Sequence, residues 1–224
     1  MVGLFLFLNA YFVRMEILQR NLTFLGISER SPASLNVGEL ETIADEAGVS
    51  LSDLLLFDLE AKALPWGQLK FIFLDVDGVL TEGGMHYTER GDEFKRYDTK
   101  DGMAIKVAMK QGFQFGIISS GVNKAIIQHR ADMFGIQHVY VGTEPKLQVA
   151  ENWLQKLGID WHETGYIGDD INDLQMFEKV AIAACPADAT LPIKKAANFV
   201  LTSKGGHGCV RQFLQHHPKL SNTL

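Results

Sequence analysis

The sequence predicts an α/β domain on a doubly wound, Rossmann-like parallel sheet, preceded by a small helical extension. Three observations lead there. Short apolar runs recur at Leu69 to Leu74, Phe113 to Ile118, His138 to Val141, Thr164 to Ile167, Ala181 to Ala184 and Phe199 to Leu201. Stretches of helical period lie among them, at Met103 to Lys110, Lys124 to Phe134, Lys146 to Leu157 and Leu174 to Lys179. Continuous apolar runs fit strands buried on both faces, and their alternation with helices implies a parallel sheet covered on both sides. Finally, acidic, hydroxyl and glycine residues collect just after the runs, where sheets of this kind hold their ligands.

The elements before the sheet read as helical, over residues 1–66. Leu40, Ile43, Ala44 and Ala47 follow a helical i, i+3, i+4, i+7 pattern up to a break at Gly48. Ser50 then suits an N-cap for a second helix, Leu51 to Leu56, with Asp53 completing a capping-box variant. Pro65 and Gly67 punctuate the end of this region. The sheet domain is expected over residues 67–216, followed by a tail at 217–224. Within it, the polar segment Glu82 to Lys100, with Gly83, Gly84 and Gly91, reads as a β-hairpin flap after the first strand. Met103, Met109, Trp153 and Trp161 are expected in packing roles, and His86, His129, His138, His162, His216 and His217 in water.

Composition bounds the function. The chain has 224 residues, 46% hydrophobic and 21% charged, as in ordinary globular proteins. A formal net charge of −6 argues against a broad electrostatic grip on nucleic acid. Two cysteines, Cys185 and Cys209, are too few for a disulfide framework and point to a reducing cytoplasm. The apolar segment Met1 to Val13 lacks a basic n-region and an A-x-A site and is shorter than a membrane span. It reads as a buried helix, or as sequence upstream of a start at Met15, and no membrane partner is expected.

Four strand ends carry chemistry. Asp75-Val76-Asp77-Gly78 follows the first run, with two carboxylates two residues apart and a glycine that permits a sharp exit. Ser119-Ser120-Gly121 follows the second and is read as opening a helix whose amides favour an anion. Lys146 begins a helix after Pro145 and offers a point charge suited to phosphate. Gly168-Asp169-Asp170-Ile171-Asn172-Asp173 follows the fourth. So many carboxylates at one rim repel one another, and a hard cation, magnesium best of all, neutralises them while also binding phosphate oxygens. A carboxylate is a competent nucleophile toward phosphorus once metal and lysine mask the charge. A purely structural role for Asp75, Asp77, Lys146 and Asp169 together is the weaker reading, because unpaired buried charge is costly.

These motifs, D-x-D-G, a strand-end Ser, a Lys and G-D-D-x-x-D, resemble those of the haloacid dehalogenase superfamily of phosphotransferases, over residues of about 67 to 216. The resemblance implies that Asp75 forms an aspartyl-phosphate, while Asp77 protonates the leaving oxygen and then activates water. It implies that Ser119 and Lys146 hold the phosphoryl oxygens, and that Asp75, Asp169 and the backbone carbonyl of Asp77 ligate magnesium. Asp170 and Asp173 would orient metal-bound waters and Lys146. The doubled serine leaves the hydroxyl open: counting from the strand favours Ser119, counting back from the helix favours Ser120, with Gly121 lining the same loop.

A closer resemblance is to the 3-deoxy-D-manno-octulosonate 8-phosphate phosphatases and their nine-carbon, sialic-acid-like relatives. It rests on Thr81-Glu82-Gly83-Gly84, on Lys100-Asp101-Gly102-Met103-Ala104-Ile105-Lys106, and on Lys204-Gly205-Gly206-His207-Gly208-Cys209-Val210-Arg211. It implies a small sugar-acid phosphate as substrate, with Arg211 pairing its carboxylate; a helix cap or surface ion pair for Arg211 weighs about equally. His207 reads as a turn residue. A phosphatase for another small metabolite, a phosphomutase and an inactive scaffold are the competing functions; the intact Asp75 and Asp77 oppose the scaffold.

Two further expectations concern assembly and the N-terminal segment. Asp77 and Ser119 are 42 residues apart, and Ser119 and Lys146 are 27 apart, so neither interval holds a separate cap domain. The flap is too short to bury a sugar acid unaided, and a neighbouring subunit is expected to complete the pocket, helped by Gly205 to Arg211, as in the resembling phosphatases, which are tetramers. Leu40 to Leu56 resembles the last helices of phage-repressor-type helix-turn-helix domains over less than half their length. A docking or assembly module without duplex binding is the better reading of it.

Overall fold

The computed structural model describes residues 15–221 and 223–224. The segment Met1 to Val13, read above as a buried helix, lies outside the described residues. The chain divides into two units, Met1–Leu64 and Pro65–Leu224.

In the first unit, residues 15–24 form helix α1, followed by α2 (Val37–Ala47), α3 (Leu51–Leu56) and α4 (Leu59–Lys62). Asn36 and Glu39 make a reciprocal capping box that starts α2, and Gly48 ends it in the left-handed region at φ +67°. The Ser50 hydroxyl accepts from the Asp53 N–H at 3.0 Å, as the sequence implied, while the Asp53 carboxylate pairs with Lys62. Leu18, Leu22, Ile43, Ala44, Leu54 and Leu59 form the core. Buried among them, the Asn21 amide donates to the carbonyls of Leu54 and Phe57, both at 2.8 Å, and accepts from the Leu59 N–H at 2.9 Å. The resemblance to a helix-turn-helix is not borne out. Helix α3 has six residues, about 9 Å of length; it carries no basic side chain, and its Leu54 is spent on the unit's own core.

In the second unit six strands form one parallel sheet in the order β5-β4-β1-β6-β7-β8. They are β1 (Phe71–Leu74), β4 (Gln114–Ser119), β5 (His138–Val141), β6 (Thr164–Ile167), β7 (Ile182–Cys185) and β8 (Phe199–Val200). The apolar runs thus became strands, within one or two residues at each end. Helices α5 (Thr99–Lys110), α6 (Lys124–Phe134), α7 (Lys146–Leu157), α8 (Leu174–Phe177), α9 (Leu191–Ala196) and α10 (Cys209–Gln215) connect and flank them. Helix α5 begins four residues before the expected Met103, because the Asp98 carboxylate caps it through the N–H groups of Lys100 and Asp101. The buried face of α5 runs through Asp101, Ala104, Ile105 and Ala108, so Met103 lies off it, is 58% exposed and is not part of the core. The flap is a minimal antiparallel hairpin of β2 (His86–Tyr87) and β3 (Glu93–Phe94).

Strand β1 lies between β4 and β6, with Leu74 in register with Ile117 on one side and Ile167 on the other. The chain runs outward from β1 through β4 to β5, then returns to β6 on the opposite side, which makes the end of β1 the switch point where such sheets bind ligands. Below it, Phe71, Phe73, Ile118, Tyr166 and Met176 are fully buried. Trp153 and Trp161 pack against this core, as expected, through Phe73.

At the start of this unit Trp66 is buried among the rings of Phe199, Phe213, His216 and His217, at centroid distances of 5.0 to 6.4 Å. His216 and His217, expected in water, are therefore packing residues. Residues 217–224, expected as a tail, belong to this unit and bury His217 and Leu220. Among the described residues no helix is long and apolar enough to cross a membrane. Replacing Trp66 with Ala empties a site ringed by four aromatic side chains, and urea denaturation of the W66A variant should show a loss of about 3 to 5 kcal/mol.

Candidate active site

The turn after β1 shapes the site. Asp75 continues the extended backbone, Asp77 stays extended at φ −79°, ψ 122°, and Gly78 reverses the chain at φ +83°. Glycine is required there twice over: beyond its positive φ, a Cβ at Gly78 would stand 2.0 Å from Asp169 Oδ2. The carboxylate of the β6 loop is thereby brought directly over the β1 turn. Gly168 plays a matching part, since a Cβ there would meet Asp173 at 2.5 Å.

Asp75 is 5% exposed. Its Oδ1 accepts from the Val76 N–H at 2.7 Å and its Oδ2 lies 2.9 Å from Lys146 Nζ. Lys146, the first residue of α7, is held on its other side by Asp173 Oδ1 at 2.6 Å and the Tyr166 hydroxyl at 3.2 Å. Tyr166 in turn donates to Asp173 Oδ1. The remaining Asp173 oxygen, Oδ2, accepts from the N–H groups of Asp169 at 2.8 Å and Asp170 at 3.2 Å. Asp173 thus has both oxygens saturated by protein donors and orients Lys146. Asp170 does not reach Lys146; its Oδ1 accepts from the N–H of Ile171.

The charges follow from this geometry. Burial pushes the Asp75 carboxyl up to about 7, with the neighbouring Asp173 adding to the rise and Lys146 opposing it. Burial likewise raises Asp169 to about 7, helped by the charges of Asp75 and Asp173. For Lys146 burial works toward a lower value, but Asp75 and Asp173 outweigh it and the ammonium is stabilised. Oxygens of Asp75, Asp169 and Asp173 lie within 4.8 Å of one another. Because Asp173 is saturated and the Asp169 carboxylate has no partner among the described residues, Asp75 and Asp169 are the oxygens that fit a small hard cation.

A cavity of about 520 Å³ opens over these groups, lined by Asp75, Asp77, Gly83, Ser119, Ser120, Gly121 and the residues Asp169 to Asn172. Lys146 stands behind Asp75, not on the wall. Ser119 ends β4 and is nearly buried, with its Oγ accepting from the Gly121 N–H at 3.0 Å. Ser120 is exposed, 3.4 Å from the Asn172 amide. Both serines therefore face the cavity. The expected helix opening at this loop is not found, since α6 begins only at Lys124.

Arg211 is not brought to the cavity. Its N–H donates to Asp101 Oδ1 at 2.7 Å, and its guanidinium donates to the carbonyl of Leu224. The loop before it also serves the site from outside the cavity wall: a Cβ at Gly205 would meet the Gly78 carbonyl at 1.9 Å, and the Gly206 N–H donates to the Val79 carbonyl at 2.8 Å. Gly205 and Gly206 thus brace the β1 turn. His207 is a turn residue, its Nδ1 2.7 Å from the Gly205 carbonyl. Sequence reasoning missed Tyr166, which sat inside an apolar run, and Lys95, one charge among several in the flap. Lys95 is half-buried with its side chain almost wholly covered, and its Nζ lies 2.6 Å from Asp77 Oδ1 and 2.8 Å from Glu93 Oε1.

Comparison with known proteins bears on the family and the fold. Residues 138–214 match the haloacid dehalogenase-like hydrolase family. The 3-deoxy-D-manno-octulosonate 8-phosphate phosphatase of Haemophilus influenzae is 34% identical over 144 residues, 64% of this chain and 79% of the relative. A crystal structure of the phosphatase of that name from Moraxella catarrhalis, in complex with magnesium, phosphate and KDO, superposes with a TM-score of 0.67 at 28% identity, covering 73% of this chain and 91% of that one. The cobalt-bound Haemophilus influenzae phosphatase superposes with a TM-score of 0.66 at 29% identity, covering 73% and 92%. The chain belongs to the haloacid dehalogenase-like hydrolases, among the phosphoric monoester hydrolases related to 3-deoxy-D-manno-octulosonate 8-phosphate phosphatase.

Proposed function

We propose that the chain is a magnesium-dependent, cytoplasmic phosphatase for a small sugar-acid phosphate of the 3-deoxy-D-manno-octulosonate 8-phosphate type, with Asp75 as covalent nucleophile. The observation that carries this reading is the position of Asp75, buried at the cavity's inner end between Lys146 and the Asp169 carboxylate, which has no partner among the described residues. An Asp75 oxygen attacks phosphorus, the ester P–O bond breaks, and Asp77 delivers a proton to the leaving alkoxide. Asp77 then takes a proton from water, whose oxygen attacks phosphorus and frees phosphate and Asp75. Ser119, with Ser120 and Gly121 on the same loop, binds the phosphoryl oxygens, and Lys146 offsets the charge of Asp75. Asp75, Asp169 and the Asp77 carbonyl would hold magnesium, which would supply charge compensation for the phosphoryl group. The magnesium, phosphate and KDO of the Moraxella catarrhalis complex support the choice of metal and substrate class.

The pocket is completed by a neighbouring subunit in a homotetramer. Met85, Tyr87 and Phe94 stand exposed on the two-stranded flap, apolar surface of the kind that partners cover.

A phosphate-release screen with magnesium tests the substrate. The highest kcat/KM is expected for a sugar-acid phosphate; a preference for neutral sugar phosphates overturns that choice. The Asp75→Asn variant, which keeps the shape of the side chain but removes one charge of the Lys146 cluster, should remain folded with reduced stability and release phosphate only at background, as read by circular dichroism and steady-state assay. Chelation by EDTA should abolish activity, with magnesium restoring it. The raised values of Asp75 and Asp169 mean that the folded protein holds these protons more tightly than the unfolded chain does. Their stabilising contribution is therefore full below pH 3.8 and lost as pH rises to about 7. Urea midpoints of metal-free protein should fall across that window, and added magnesium should raise them most at its upper end.

A further inference from the structure

The turn that carries Asp77 treats its two carboxylate oxygens differently. Oδ1 is occupied: Lys95 Nζ lies 2.6 Å away and the Thr81 hydroxyl donates to it at 3.3 Å. Oδ2 has no partner among the described residues, and the Cβ position of Gly121 is 3.8 Å from it, so it faces the Ser119 to Gly121 loop across the cavity. Lys95 is not a surface charge that happens to lie near. Its side chain is 3% exposed, and Glu93, 6% exposed, anchors it from the far side at 2.8 Å. Both residues belong to the exit strand of the flap and the step just beyond it. A buried ammonium is costly unless paired and hydrogen-bonded, and here the two carboxylates that pair it join the flap to the β1 turn.

We infer that Lys95 is a positioning residue for Asp77: by occupying Oδ1 it leaves Oδ2 as the oxygen that carries a proton to the leaving group and later removes one from water. This rests on the role of Asp77 given above. An ammonium has only donors, so a neutral Asp77 beside it must keep Oδ1 as acceptor and hold its proton on Oδ2. That proton then points toward the phosphoryl loop, where the ester oxygen departs as the P–O bond breaks. The arrangement also makes proton delivery depend on the flap, because Lys95 reaches Asp77 only while β3 is docked.

Leaving groups that need no proton distinguish this role from a general effect on folding. Phenyl phosphate and 4-nitrophenyl phosphate have nearly the same shape, but phenolate is much the poorer leaving group and depends more on an acid. In single-turnover release, Lys95→Met should slow phenyl phosphate about 10- to 100-fold more than 4-nitrophenyl phosphate. The Asp77→Asn variant should show the same selectivity, and adding Lys95→Met to it should change either rate by less than about 2-fold. Lys95→Arg, which still donates to Oδ1, should recover part of the lost rate on phenyl phosphate. Equal losses on the two esters, or full additivity with Asp77→Asn, would overturn the inference. If Lys95→Met does not fold, Glu93→Gln loosens the same lysine from its anchor and should shift selectivity in the same direction, and no shift overturns the inference. Both esters are unrelated to sugar acids, so a wrong substrate assignment leaves these outcomes readable, whereas an Asp77→Asn variant without leaving-group selectivity refutes the role of Asp77 itself.

Discussion

The buried ion cluster of Lys146 with Asp75 and Asp173 is the constraint around which the sheet rim is arranged. Three charged side chains, each at most 5% exposed, meet behind the cavity. Such a cluster persists only when its remaining donors and acceptors are satisfied, since removing one member of a buried pair typically costs 3 to 5 kcal/mol. The neighbours supply what is missing. The Tyr166 hydroxyl and the N–H groups of Asp169 and Asp170 saturate Asp173, and the Val76 N–H takes the free oxygen of Asp75. Burial is the main reason that Asp75 and Asp169 resist ionisation, and having only Lys146 among the carboxylates of Asp75, Asp169 and Asp173 adds to it. The same crowding of carboxylates suits the rim to a hard cation, which on the proposed reading would in turn attract an anionic substrate.

Glycines make that crowding sterically feasible. Gly78 and Gly168 each lie where a side chain would displace a carboxylate of the site, and Gly205 presses against the Gly78 carbonyl from the other direction. The β1 turn is therefore held between the Asp169 loop and the glycine loop before α10. The Cys209 thiol and the Gly206 N–H both donate to the Val79 carbonyl, fixing the turn's exit. Asp101, at the start of α5, closes the arrangement by accepting the Arg211 N–H, so the segment after the flap and the final helix share one anchor. Arg211 is drawn into this scaffold, which accounts for its distance from the cavity.

Much of this was legible in the sequence, for a local reason. Strands buried on both faces leave continuous apolar runs, and the catalytic candidates follow those runs directly, so Asp75, Ser119 and Asp169 could be placed from chain order alone. Lys146 was equally accessible because it opens a helix. What escaped depends on partners distant in the sequence. Lys95 differs from its charged neighbours in the flap only by a contact made 18 residues away. Tyr166 reads as one more aromatic residue in a strand until its hydroxyl meets Asp173. His216 and His217 look like an exposed polar pair, yet the Trp66 ring draws them inward. Met103 failed in the opposite sense: it looks like a core residue by type, but the buried face of α5 runs through Asp101, Ala104, Ile105 and Ala108 and leaves it outside.

The flap shows how a site without a separate cap domain can still link covering to chemistry. Two residue pairs are too few for an independently stable hairpin, so its position must come from contacts elsewhere. Lys95 and Glu93 supply one such contact, tying β3 to Asp77 by a part-buried ion pair. The apolar side chains Met85, Tyr87 and Phe94 are left facing outward, available to another surface. A cover fastened inward by charge and outward by hydrophobic contact is sensitive to both sides. If the flap docks against a neighbour as proposed, that contact would stiffen β3 and hold Lys95 on Asp77 Oδ1, so that assembly and proton transfer would share one short strand.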